Sequence, residues 1–436
     1  MLAHDGAPQR QATPMVRTPL KTPRSENRSP AGRRRTEAVR EMKTCFVSCQ
    51  YPPLSRTLRR YKFARYLADG GLQVEVVAHG NISRALGTFS QDPSMVAPAA
   101  DLPVHRPRAV PWYLLGELLY RTGLAPCPYV NWYAPAVRVA CRVAASRRAA
   151  VVGVYPPLVN LLVAYRTAQR TGARLVLDFR DEYRGLSRGL QFPWARYWER
   201  RLVTAADLVS AATEPVAVSL RDRYGLPAER LHLTPNGYWE DVPAAASYRT
   251  RETVHVVYAG ALSPVQGIDL LCAAMRRLQS EQPEVARRLR VTVYGPENLY
   301  LRRRLRPLLD GAGMRFGGFL NAAQVSPVLL DADVCYVSLA SDQHAYAVPG
   351  KLYECIAHAR PILAVLPPGT ARSIIEDHGF GLVANCGSVE MLTGQLLAML
   401  DPERRQGCFE RLLASREAYA ARPQFLSLAR RLRELE

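Results

Sequence analysis

The chain has 436 residues, 48% of them apolar and 22% charged, a balance that excludes a wholly disordered or fibrous protein and suggests two domains. Its net charge of +20 favours anionic partners such as phosphates, nucleic acid or an anionic membrane face, without choosing among them. Nine cysteines are scattered with no C-x-x-C and no Cys/His cluster, which excludes a zinc module and fits reduced thiols in a cytoplasmic protein.

Residues 1–41 are rich in Pro, Arg, Ser and Thr and lack aliphatic periodicity, so they read as a disordered basic tail. Arg33, Arg34 and Arg35 could touch anionic lipid or nucleic acid, but a solvated tail is the preferred reading. No apolar h-region of a secretory signal is visible, and the folded pattern begins directly after Met42, a candidate start. The longest uncharged run, Ala149 to Tyr165, is short for a membrane span and holds Pro156 and Pro157 mid-way.

From Cys45 the chain reads as strand CFVSC, loop YPPLSRTLRR, helix YKFARYLADGG and strand LQVEVVAHG, with Gly70 and Gly71 where the helix should stop. The segment PRAVPWYLLGELLYRTGLAPCPYVNWYAPAVRV is dense in Trp, Tyr, Leu and Arg. It suits either a buried helix, the preferred reading, or a peripheral contact with the inner membrane face. The alternation returns with strand AAVVGVYPP, a helix from Leu158 to Arg170 and strand RLVLDFRD. Within that helix Leu161, Leu162, Tyr165 and Ala168 share one face. Strands alternating with helices predict a doubly wound, parallel α/β domain over 42–240.

Pro235, Asn236 and Gly237 mark a turn, and the hinge is expected in LTPNGYWEDVPAAASYRT. The pattern restarts with strand VHVVYAG, a helix from Gly267, strands RVTVYG and MRFGG, and a helix from Ala322 to Leu330. Strand DVCYVSL, a helix from Lys351 to Ala359 and strand PILAVL follow. This predicts a second doubly wound domain over 250–405. A helical segment over 409–436, broken at Pro423, should pack back towards the first domain.

In an open parallel sheet, ligands bind beyond the carboxyl ends of strands near the switch in strand order. Gly260 ends a strand, and Gln266 and Gly267 precede a helix, an arrangement that suits a mononucleotide or an ordinary tight turn. The sharper signal is Val348-Pro349-Gly350-Lys351-Leu352-Tyr353-Glu354. Its loop amides can face a diphosphate, Lys351 adds a cation, and Glu354 lies one turn on, able to accept from two ribose hydroxyls. The alternative is a surface Lys–Glu pair. Arg180 and Asp181, after the strand RLVLDF, are candidates for sugar or acceptor contact, or else an ion pair that fixes their loop.

The stretch from Pro349 to Ile362 resembles the donor motif of family 4 retaining glycosyltransferases, P-S-K-hydrophobic-Y-E-Y-x-A-x-G-[KR]-P-[IV]. YAGALSPVQGIDLL is similar to the Y-A-G and Q-G form of a bacterial surface-polysaccharide branch, and TVYGPE, GGFLNAAQV and GFGLVAN follow in family order. In the first half, YPPLSRTLRRYKFARYLADGG, LDFRDEY and LTPNGYWED resemble the family's opening loop, D-x-[RH]-D-x-[WY] element and P-N-G hinge. The resemblance covers about 43–435 and implies a GT-B fold, two Rossmann-like domains facing across a cleft.

It further implies sugar transfer, with retained configuration, from a nucleotide diphosphate-sugar co-substrate to a glycan or lipid-linked glycan acceptor. Glu354 would bind the donor ribose, while Lys351 and the amides of Val348, Pro349 and Gly350 would lie at diphosphate or sugar. Gly260 and Gln266 would border the phosphates, with Gly295 and Phe319 near the base. No D-x-D follows a strand, so no obligatory metal or other cofactor is expected. Three positions depart from the pattern. Tyr346 stands where many members have the first Glu of a pair, Ala261 and Gln266 where many have basic residues, and Arg180 where many have His. These departures motivate the alternative of a catalytically impaired GT-B protein. A sugar-nucleotide epimerase fits the order of motifs less well. A nucleic-acid-binding protein fits the charge, but no helix-turn-helix, zinc finger or RNP pattern accompanies it, and no nucleic-acid partner is expected.

Overall fold

The computed structural model describes residues 42–54, 57–80, 96, 100–109, 113–146, 148–181, 194–239, 247–249 and 251–435. The tail over 1–41, Glu182 and Tyr183 of LDFRDEY, Trp112 of the aromatic segment and hinge residues 240–246 lie outside them.

Seven parallel strands form the first sheet: β1 (Lys43–Val47), β2 (Gln73–Val77), β3 (Val104–His105), β4 (Ala149–Tyr155), β5 (Arg174–Phe179), β6 (Leu208–Ala211) and β7 (Leu231–Leu233). Their spatial order is β3-β2-β1-β4-β5-β6-β7, so the direction of winding reverses between β1 and β4. The helices are α1 (Leu58–Asp69), α2 (Tyr113–Arg121), α3 (Tyr133–Val143), α4 (Leu158–Thr171), α5 (Ala195–Ala205) and α6 (Glu214–Tyr224). Helices α3 to α6 share one apolar cluster and α1 belongs to another, as expected when right-handed crossovers from a switch point cover opposite faces of a sheet. Strand β4 is buried along its whole length, which explains its uninterrupted apolar run.

The second sheet, ordered β10-β9-β8-β11-β12-β13, contains β8 (Val254–Ala259), β9 (Leu289–Tyr294), β10 (Arg315–Gly318), β11 (Val334–Ser338), β12 (Ile362–Val365) and β13 (Gly381–Ala384). It too is parallel, and its winding reverses between β8 and β11. Its helices are α7 (Ile268–Glu281), α8 (Arg306–Gly311), α9 (Ala322–Asp331), α10 (Gly350–Ala357), α11 (Thr370–Asp377) and α12 (Val389–Ala398). Two apolar clusters again line its faces.

The chain closes with α13 (Pro402–Ser415) and α14 (Ala421–Arg433). Helix α14 packs on α1, and Phe425 stacks near Phe63 with ring centroids 4.6 Å apart. Both lie in the apolar cluster of β1 and β2, so the last helix completes the first sheet's core. The returning chain crosses the outgoing one at a parallel bridge between Tyr238 and Ala420. A Cβ at Gly237 would collide there with the backbone of 419–421, the physical reason for glycine in the P-N-G turn.

Two local expectations are corrected. Helix α1 starts at Leu58, so Arg59 and Arg60 belong to its first turn and not to the preceding loop. The break in the final segment is a tight turn at Arg416–Tyr419, while Pro423 lies in the first turn of α14, where a missing N–H removes no intrahelical bond.

Candidate active site

The switch point of the second sheet is where the sequence motifs converge. Strand β8 ends at Gly260, and α10 follows β11 across the crevice. The N-cap of α10 is Pro349, with no side chain capping the helix and no acidic residue in its first turn, so its leading N–H groups suit an anion. Val348 is buried in the core beside Leu352 and Tyr353, which anchors the loop ahead of α10.

Lys351 reaches from α10 across to β8. Its Nζ donates to Tyr258 Oη and to Gln266 Oε1, each at 2.7 Å, and lies 4.4 Å from the centre of the Tyr258 ring. Tyr258 in turn donates to the Ala261 carbonyl. A Cβ on Gly260 would overlap the Lys351 side chain, so glycine here is a condition for that reach. Gly267, with φ of +54°, turns the chain into α7, and a Cβ would come within 2.7 Å of Ser338 Oγ. Gln266 therefore works as an acceptor that orients Lys351, at a position read from sequence as lacking a cation.

Glu354 lies one turn after Lys351 but is withdrawn from water, while the Lys351 ammonium turns across to Tyr258 and Gln266, so a surface Lys–Glu pair does not describe the two. Its carboxylate has no hydrogen-bond partner among the described residues, and burial pushes its pKa up to about 7. A carboxylate held partly out of water with nothing donating to it can accept from hydroxyl groups. Gly295 is wedged against Leu262 and donates its amide to Gly318 at 2.9 Å, and Phe319, just beyond β10, is 56% exposed. Gly295 is thus buried beside Gly260, and of the two only Phe319 is open to solvent.

The first-half candidates separate. Arg180 is internal: Nε and Nη2 each lie 2.5 Å from the carboxylate of Asp178, and Nη1 donates to the Thr234 carbonyl at 2.7 Å. Its guanidinium lies against both Phe63 and Phe425, 5.0 and 4.9 Å from their centroids, and its side chain is 2% exposed. The expectation of sugar or acceptor contact is therefore corrected to that of a clasp, with Asp178 and not Asp181 as partner. Asp181 is partly buried, its pKa raised by burial against the opposing pull of Arg59, Arg60 and His344. Tyr346, in place of the family's first Glu, packs against the first half's apolar cluster.

Sequence reasoning missed Tyr258, Arg59, Arg60 and His344. Thr57 directly before a run containing Arg59 and Arg60 was a usable helix-start signal. Nothing local marks His344 as a neighbour of Asp181. Elsewhere, a groove of about 850 Å³ runs along α3, α4 and α5, lined by Tyr133, Tyr165, Trp198, Arg138, Arg166 and Arg201 among others, with no acidic residue in its lining.

Two family models match the chain: a glycosyl transferase 4-like domain over residues 57–237 and glycosyl transferases group 1 over 246–411. Among solved structures, Anabaena HepE in complex with UDP and glucose superposes with a TM-score of 0.65 at 15% identity, over 90% of this chain and 100% of that one. WaaG, a glycosyltransferase involved in lipopolysaccharide biosynthesis, gives 0.60 at 15% identity over 88% and 98%. The Escherichia coli protein described as trehalose-6-phosphate, bound with UDP-2-fluoro glucose, gives 0.63 at 12% over 89% and 98%. No curated protein matches in sequence.

Proposed function

The chain belongs to the GT-B glycosyltransferases that use nucleotide-sugar donors, and from that premise we propose that it is a retaining, metal-independent transferase acting on a glycan or lipid-linked glycan in surface polysaccharide synthesis. The observation that carries the donor assignment is the unpartnered carboxylate of Glu354 one turn from Lys351, at the second sheet's switch point. Glu354 accepts from the ribose hydroxyls. Lys351 and the N–H groups of Val348 and Gly350, on either side of Pro349, receive the diphosphate, Gly260 and Gln266 border it, and Gly295 and Phe319 flank the base.

In this reading the leaving nucleotide diphosphate gains negative charge in a crevice whose cation and helix N-terminus are already in position, which lowers the barrier without reorganisation. Holding the acceptor hydroxyl beside the anomeric carbon supplies the rest. Structural relatives hold UDP, UDP-glucose or UDP-2-fluoro glucose, which makes a uridine donor the first to try.

Contact with the cytoplasmic face of a membrane is supported by Leu114, Leu118 and Leu124, exposed by 86%, 58% and 65% on and just after α2, and by the basic groove nearby. No described helix is long and apolar enough to cross a membrane. The test is a thermal-shift panel of UDP, GDP, dTDP, ADP and CMP on the full chain, with and without Mg²⁺. One diphosphate should stabilise the protein equally in both conditions. Stabilisation that requires Mg²⁺ would overturn metal independence, and no shift with any nucleotide would overturn the donor site.

A further inference from the structure

The first sheet has a switch point of its own, between β1 and β4, and the first turn of α1 stands over it. That turn is open. The N-cap residue Thr57 turns its hydroxyl back to the Leu54 carbonyl, no side chain caps the helix, and no acidic residue lies in the first turn.

Two guanidinium groups are held at this place. Arg60 Nη2 donates to the Pro156 carbonyl at 3.1 Å, just past the end of β4, which ties it to the crevice. Arg60 Nε and Arg59 Nη2 are buried and have no hydrogen-bond partner. The charged groups facing Arg59 are Arg180, Asp181, Asp178 and Arg60, and Asp181 also faces Arg60. Since Asp178 is engaged by Arg180, one carboxylate is left opposite two guanidinium groups. His344, from the second half, faces Asp181 too and adds no negative charge. Burial pushes the Arg59 guanidinium down to about 9, the response of a cation lacking enough countercharge. Partly compensated buried charge is costly, and an anion with several acceptor oxygens relieves it.

We propose that Arg59, Arg60 and the amino end of α1 bind a phosphoryl group carried by the acceptor, so that the second substrate is a phosphorylated sugar or a phosphate-linked glycan. This rests on the reading of Glu354 and Lys351 as the donor site: they occupy the second sheet's switch point, which leaves the first sheet's crevice to the other substrate. The phosphate would stay bound throughout, with transfer to a hydroxyl elsewhere on the same molecule.

The probe is inorganic phosphate, titrated by calorimetry into the full chain saturated with UDP. Phosphate should still bind, and Arg59→Gln and Arg60→Gln should each weaken it by at least about tenfold while leaving UDP affinity within about twofold. Neither variant should melt below the parent, because each removes an under-compensated buried charge; a structural arginine would lower the melting temperature. If either variant fails to fold, the parent alone decides. Binding of phosphate abolished by UDP would assign the arginines to the donor diphosphate and overturn the proposal, as would undiminished phosphate binding in folded variants. A chain that binds phosphate but no nucleotide defeats the transferase reading, and the acceptor assignment with it. Comparing glucose 6-phosphate with phosphatidylcholine vesicles containing phosphatidic acid then separates a free phosphoryl group from a membrane-borne one.

Discussion

Arg180 and Asp178 in the first half, and Lys351 and Glu354 in the second, are both pairs of opposite charge close in sequence beyond or at the end of a central strand. In the first pair the ions meet face to face, with two aromatic rings against the arginine and the Thr234 carbonyl taking its remaining donor. In the second they do not meet: Lys351 turns to Tyr258 and Gln266, and Glu354 is left without a partner. A charged pair that satisfies itself holds a fold together, and one that does not is available to a ligand.

Breaking the first pair should have the largest effect on stability. Arg180→Ala leaves Asp178 buried without its partner and strips the guanidinium from the Phe63 and Phe425 rings, so chemical denaturation should show a loss of about 3–5 kcal/mol. Donor affinity of the folded fraction should stay within about threefold of the parent. A large loss of affinity without destabilisation would return Arg180 to the ligand site.

Glu354→Gln should do the reverse. Two charge-assisted bonds to ribose, each contributing about 1.5–3 kcal/mol, predict at least a hundredfold loss of donor affinity at pH 8 by calorimetry. The variant should also be more stable than the parent at that pH. The carboxyl is raised from its ordinary value to about 7, so the folded state holds the proton more tightly than the unfolded one. Its contribution to stability is therefore greatest at low pH and declines as pH rises from about 4.5 to 7. A shift of that size sets an upper limit of about 3 kcal/mol.

The same titration acts on binding with the opposite sign, because ribose needs the ionised form. Donor affinity should rise about tenfold between pH 6 and pH 8, and the rise should vanish in Glu354→Gln. A parallel rise in the variant would place the titrating group elsewhere. Smaller again is Gly260→Ala, whose methyl group displaces the end of Lys351 and, at a φ of +156°, strains the backbone at the end of β8. Donor affinity should fall about tenfold alongside a drop of a few degrees in melting temperature, and a loss of stability with donor affinity of the folded fraction unchanged would make Gly260 a packing residue only.

Much of the architecture was legible in the chain. Short apolar runs alternate with helical periods, and helices end at glycines such as Gly172, in the left-handed region that glycine adopts without penalty. The loop and helix start over Val348 to Glu354 were legible because their residue types follow one another along a single turn of helix. Arg180 was misread for a corresponding reason: one of its stacking partners, Phe425, comes from the other end of the chain. Arg59 and Arg60 were read as loop because a first turn rich in arginine shows no apolar period, although Thr57 offered a start signal.

Local pattern by itself determined two wound α/β halves, the turns between their elements and the loop–helix junction before Lys351, since these depend on backbone preferences and on neighbours within a few residues. Only the tertiary structure decided which charges are closed and which are open. That depends on burial and on partners brought together from distant elements: α14 against α1, His344 towards Asp181, and Lys351 across to Tyr258.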